Sequence, residues 1–119
     1  MKLRFQDFDN IYLIPGATDL RMSYAGLSSI VSHNLCLDPT ANNLYIFCNK
    51  SKRTIKMLEF DRNGFVIHSK KLLTREHFYW PKNADDLETV IVDQRQLEWL
   101  LDGLNIYQKG AFSTITAAV

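Results

Sequence analysis

The chain has only two cysteines, Cys36 and Cys48, in 119 residues. That is too few for the disulfide framework that holds small secreted domains together. No apolar run approaches the ~18 residues that a membrane-spanning helix needs. The opening, MKLRFQDFDN, alternates apolar and charged residues and lacks the apolar stretch of a secretory signal. A soluble protein of a reducing, cytoplasmic compartment is expected, with no membrane partner.

The signatures of common chemistries are missing too. His33, His68 and His77, taken with the two cysteines, form no CxxC, HxxxH or HExxH, so no metal site is expected. His33 and Cys36 stand three apart, which is a weak signal, and both cysteines read as small buried apolar residues. The serines sit in no GxSxG elbow, and neither a P-loop nor GxGxxG offers a phosphate cradle. No catalytic residue, no cofactor and no small-molecule substrate is expected, and the chain does not read as an enzyme. Internal repeats and low-complexity segments are absent as well.

What is present is ordinary globular composition, 46% hydrophobic and 23% charged, at a length that suits one domain. The net charge of +1 hides a sorted distribution. Residues 1–49 are close to neutral. Residues 50–82 hold nine Lys or Arg against Glu59, Asp61 and Glu76, and residues 83–107 are acidic, with Arg95 the one cation. A basic middle beside an acidic end suggests two faces with different partners, a polyanion and a protein.

Ile11 to Ile14 is a short β-type run stopped by Pro15-Gly16. Thr18 or Asp19 can cap a following helix, on which Leu20, Tyr24, Leu27 and Val31 share one face. Leu44 to Cys48 is apolar throughout and reads as a strand buried on both faces. Thr54–Phe60 and Phe65–Leu72 are strands around Asn63-Gly64, a dipeptide suited to a two-residue hairpin turn. That turn predicts Phe60 opposite Ile67, Glu59 opposite His68 and Lys56 opposite Lys71. Phe78 to Pro81 reads as a last short strand.

Thr89 to Val92 leads into the clearest helix of the chain. Asp93 is placed as its N-cap with Gln96 in the capping-box position, and Val92 and Leu97 are spaced for a hydrophobic staple. Leu97, Leu100, Leu101 and Leu104 make its apolar stripe, and Gly103 is placed to end it. The expected fold is α+β, a single domain: an antiparallel meander of about four strands with helices near 19–33 and 93–103. Its core should include Leu20, Leu27, Leu44, Ile46, Met57 and Phe60, with Ile67, Leu97, Leu100 and Leu101.

Nucleic-acid binding has a positive argument. Lys50, Lys52, Arg53 and Lys56 lie close together, and the hairpin brings Lys70 and Lys71 alongside. Such a group neutralises several phosphates with salt-dependent, weakly sequence-specific affinity. Tyr45, His77, Tyr79 and Trp80 would supply stacking if exposed, although Tyr45 and Trp80 read better as core.

The order of motifs resembles one family. Ile11-Tyr12-Leu13, Gly16 to Arg21, Asp38-Pro39 and Leu44 to Phe47 are followed by the basic stretch Asn49 to Arg53. Then come Ile55 to Leu58, Phe60-Asp61, Gly64-Phe65, Phe78 to Pro81 and Leu97 to Gly103. Over roughly residues 11–107 this is similar to the accessory protein from the second open reading frame of IS-sixty-six (IS66) insertion sequences, commonly called TnpB. It is not the much longer RNA-guided nuclease of the same name. The chain divides accordingly into a family-like domain, residues 1–107, and a C-terminal extension, residues 108–119.

The resemblance implies an accessory role in transposition, and the missing catalytic motifs make that role non-catalytic. The expected partners are the element's transposase and its other accessory protein, from the resemblance, and DNA, from the basic group. The family supplies no accepted site residues. The basic group favours DNA binding, while Asp85, Asp86 and Glu88 with the Leu97/Leu101 helix favour a module that assembles with the transposase. The chain departs from the family pattern at Phe60, usually tryptophan, and at Arg62, often glycine, which leaves Gly64 to serve the turn.

Overall fold

The computed structural model describes residues 5–82 and 89–108. Five strands form one sheet: β1 (Asn10–Leu13), β2 (Asn43–Cys48), β3 (Thr54–Asp61), β4 (Gly64–Lys71) and β5 (Val90–Val92), in the order β4-β3-β2-β1-β5. The antiparallel meander is β2-β3-β4. The sheet is extended on its other side by β1, parallel to β2, and by β5, antiparallel to β1. Two helices, α1 (Tyr24–Ser29) and α2 (Gln94–Leu101), cover opposite faces.

Alternation along the central strands explains the two-sided core. Leu44, Ile46, Ile55 and Met57 meet Leu97 and Leu100 of α2 on one face. Tyr45, Phe47 and Leu58 meet Leu20, Leu27 and Val31 on the other. All six residues of β2 are buried, as an apolar run between two helical layers requires. Of the expected core, Phe60, Ile67 and Leu101 are only half-buried, and the other seven are buried. Burial pushes the Cys48 thiol up to about 12, while Cys36 is exposed.

Helix α2 follows its local signals. The Asp93 carboxylate accepts the Gln96 N–H at 2.7 Å, and the Gln96 side chain accepts the Asp93 N–H at 3.0 Å. Its end is a Schellman motif: Leu104 N–H donates to Trp99 O at 2.8 Å and Gly103 N–H to Leu100 O at 3.0 Å. Gly103 takes the left-handed φ of +85° that this reversal needs.

The structure corrects several expectations. The first helix starts at Tyr24 after Ser23, not near Asp19, and runs on as a π-helical stretch, Ile30–Asn34. Asp19 is instead engaged by Arg21, whose Nη2 lies 2.8 Å from its carboxylate. Phe78–Pro81 joins no ladder. Phe78 N–H bonds Lys52 O and Pro81 O accepts Gly16 N–H, so the segment crosses the sheet end between two turns. Missed as a strand was Val90–Val92, whose β-branched residues carried the signal.

The hairpin closes one residue early. Arg62 and Asn63 form the loop, and Asp61 lies opposite Gly64, Phe60 opposite Phe65 and Lys56 opposite Ser69. The expected Phe60–Ile67, Glu59–His68 and Lys56–Lys71 pairs are therefore not direct partners. The reason is cross-strand packing. The observed register sets Leu58 against Ile67 and packs Phe60 edge-on to Phe65 at 5.2 Å, and Phe65 also stacks on Tyr24 at 5.8 Å. The expected register would face Leu58 with Ser69 and put two lysines opposite each other. Apolar pairs are worth about 0.2–1 kcal/mol each, which offsets the ~1–2 kcal/mol of a non-glycine residue in the left-handed region; Arg62 sits there at φ +54°. Glu59 and His68 still meet, diagonally, through a 2.6 Å contact.

Candidate nucleic-acid interface

The β2–β3 turn is built by Asn49. Its side-chain oxygen accepts the N–H groups of Arg53 at 3.1 Å and Thr54 at 3.2 Å, while its carbonyl accepts Lys52 N–H at 3.0 Å. Lys52 takes a left-handed φ of +59°, which turns the chain sharply at the sheet end. Lys50 is exposed and Lys52 half-buried there.

The residues after β4 wrap this turn. Leu72 N–H donates to Arg53 O and Phe78 N–H to Lys52 O, both at 2.8 Å. The Arg53 guanidinium donates to the Thr74 carbonyl and holds the segment down. Phe78 and Trp80 are buried and Tyr79 between them is exposed. The Trp80 indole N–H reaches Ile14 O at 3.1 Å and Gly16 O at 2.9 Å. Lys82 follows, and Lys50, Lys52 and Lys82 line one small hollow of about 200 Å³ against Trp80 and Pro81.

Lys71 ends β4 opposite Thr54, next to this turn, and is exposed. Among the described residues, none of Lys50, Lys52, Lys71 and Lys82 has a carboxylate within ion-pair distance. Their charge is left to solvent or a ligand.

The structure does not bring all six expected residues together. Lys56 and Lys70 belong to opposite faces. Lys56 Nζ donates to Leu20 O on the α1 side, and Lys70 Nζ donates to Leu101 O on the α2 side, each at 2.6 Å. The second contact places a cation on the carbonyl end of α2, where the helix dipole favours it. Lys50, Lys52 and Arg53 do gather at one end, joined by Lys82, which sequence reasoning left out, while Lys71, next to them at the end of β4, lines a second hollow with Lys70, Glu98 and Asp102. Asp85, Asp86 and Glu88 lie outside the described residues. Tyr45 and Trp80 are core, as expected, and the Tyr45 hydroxyl donates to Asp38 O at 2.7 Å.

Beside the basic end runs a wider groove of about 1080 Å³. It is lined by three segments: Lys50 to Lys52, Glu76 to Pro81, and Gly103 to Asn105 with Tyr107. The last segment is anchored: Ile106 is buried in the α2 core and its carbonyl accepts the Gln96 side-chain N–H at 3.3 Å. That anchoring leaves Tyr79 61% and Tyr107 67% exposed. Sequence reasoning named Tyr79 but not Tyr107, whose only signal was an aromatic just past a helix stop. No cluster of three or more metal-ligating side chains occurs among the described residues.

Comparison with known proteins follows the same lines. The family of IS66 Orf2-like proteins matches residues 9–111, nearly the whole chain, and the protein belongs to that family. Its relatives include an uncharacterized protein, y4hO, of Sinorhizobium fredii, 28% identical over 95 residues that span 80% of each chain. No solved structure matches. The family places the protein among insertion-sequence accessory proteins. No described helix is long and apolar enough to cross a membrane.

Proposed function

We propose that the protein is a non-catalytic, DNA-binding accessory factor of IS66-type transposition, which meets the phosphate backbone with the sheet end formed by Lys50, Lys52, Arg53, Lys71 and Lys82. One observation carries this reading: Lys50, Lys52 and Lys82 converge on one hollow from separate segments, with Arg53 and Lys71 on the adjoining strand ends, and the lysines have no carboxylate within ion-pair distance among the described residues. Their contacts are to phosphate, so they supply affinity and register with little sequence preference. All five cations lie on turns, loops and strand ends and none on a helix, which fits weak specificity.

The test is duplex binding measured across a salt series. Four to five phosphates neutralised give a slope of log affinity against log salt of about −4, at ~0.9 per phosphate. Replacing Lys50, Lys52 and Lys82 by alanine should flatten that slope by about 2 to 3. Binding that ignores salt, or a folded triple variant with the slope of the parent, defeats the reading.

Assembly with the element's transposase is part of the same proposal. Glu98 and Asp102 of the α2 region are exposed and continue the acidic character of that part of the chain. Asp85, Asp86 and Glu88 are its remaining candidates. Reversing those three to lysine should weaken capture of the transposase in a pull-down, and unchanged capture by the folded variant removes them from consideration.

A further inference from the structure

We infer that the groove beside the basic end takes an unpaired DNA strand, with bases stacked on Tyr79 and Tyr107 and phosphates held by Lys50 and Lys52. The inference deepens the DNA-binding reading above and rests on it.

The arrangement combines two things that a duplex surface does not need together. Two large aromatic rings, 61% and 67% exposed, line a single groove that Lys50 and Lys52 also line, and neither lysine has a carboxylate within ion-pair distance among the described residues. Neither ring is required by the core, which is closed beneath them by Phe78, Trp80 and Ile106, each at most 6% exposed. Neither phenol has a hydrogen-bond partner among the described residues, so the core and the hydrogen-bond network leave both rings uncommitted. In a duplex the base faces are covered by stacking and unavailable to such rings. A single strand presents faces and phosphates at once, and every base has a π-face, so stacking tolerates any sequence.

The charge pattern fixes the occupant further. Lys50 and Lys52 favour a polyanion over an apolar peptide, and Glu76 is the only carboxylate that lines this groove among the described residues. Its side chain has a 3.4 Å contact from Thr74 Oγ1 and no basic partner there. It sits where it would oppose a backbone phosphate, so it tempers affinity.

The experiment is fluorescence anisotropy on the full chain, with a labelled oligothymidylate and a mixed-sequence duplex of equal length. The single strand should bind at least tenfold more tightly than the duplex. Tyr79→Ala and Tyr107→Ala should each weaken the single strand about tenfold and leave the duplex within twofold. Tyr79→Phe and Tyr107→Phe should bind as the parent does, because stacking needs the ring and not the hydroxyl. Glu76→Gln should tighten both ligands by severalfold. Unchanged circular dichroism and thermal midpoint establish that the variants are folded.

Equal binding of both DNAs, insensitive to the tyrosines but lost on replacing Lys50, Lys52 and Lys82, overturns this inference and keeps the basic surface. Loss of both DNAs in the parent protein overturns both. Tyrosine variants that lose transposase capture while keeping single-strand affinity make the groove a protein-docking site, which also overturns the inference.

Discussion

Lys56 and Lys70 stand on neighbouring strands, one position out of direct register, and their ammonium groups end on opposite faces of the sheet. Lys56 donates to the Leu20 carbonyl and Lys70 to the Leu101 carbonyl, each at 2.6 Å. Both contacts are partly buried and bridge the sheet to a helical layer. These lysines therefore act in the fold. Each replacement by methionine, which keeps much of the stem, should cost about 1–2 kcal/mol of unfolding free energy in urea titrations. DNA affinity of either folded variant should stay within about threefold of the parent at moderate salt. A loss as large as that of the Lys50/Lys52/Lys82 variant would return them to the interface.

The turn residue Arg62 offers a gain. It holds φ at +54°, and its contact with Asp61 is long, 3.7 Å, and largely solvent-exposed. Such a pair contributes little. Glycine is at ease in that conformation, so Arg62→Gly should stabilise by about 0.5–1 kcal/mol. A variant less stable than the parent in urea would contradict this account of the register.

Two glycines, one opening β4 and one ending α2, should respond differently. Gly64 is not in the left-handed region, and a side-chain carbon there would meet nothing within 4 Å. Gly64→Ala should be neutral or gain up to about 0.5 kcal/mol. Gly103 at φ +85° also faces open space, yet Gly103→Ala should cost about 1 kcal/mol through backbone strain alone. Thermal melts of the two variants give the comparison directly.

The capping box of α2 carries a separate test. Asp93→Ala removes the acceptor of the Gln96 N–H, a 2.7 Å bond, and should cost about 1 kcal/mol. The consequence should reach the groove, because α2 sets the position of Ile106 and Tyr107 through Gln96 and the Schellman turn. Hydrogen exchange should therefore quicken in residues 103–107 together with the first turn of α2. Exchange confined to the first turn would mean that the groove wall is held independently.

The two thiols should separate cleanly. Cys48 is buried, with its thiol raised to about 12 by burial, whereas Cys36 is exposed. Alkylation of the native protein at neutral pH should label Cys36 and spare Cys48 until urea unfolds the chain. Labelling of Cys48 under native conditions would show that the sheet centre opens readily.

Local chemistry made much of this readable from the sequence. A capping box closes over three residues and a Schellman turn over five, so Asp93, Gln96 and Gly103 announced α2 without reference to anything distant. The unbroken apolar run of β2 implied cover on both faces, and motif order alone indicated the family. The hairpin was different. Arg62-Asn63 and Asn63-Gly64 are both usable loops, and the choice fell to Leu58, Phe60 and Phe65, whose partners lie across the sheet and on α1. Strand alternation then sent Lys70 and Lys71 to opposite faces, so neighbours in sequence do not share a surface. The groove was least visible of all. Its walls come from residues 50–52, 76–81 and 103–107, and only burial of Phe78, Trp80 and Ile106 in one core brings those segments side by side, because packing is what joins parts of a chain that no local hydrogen bond connects.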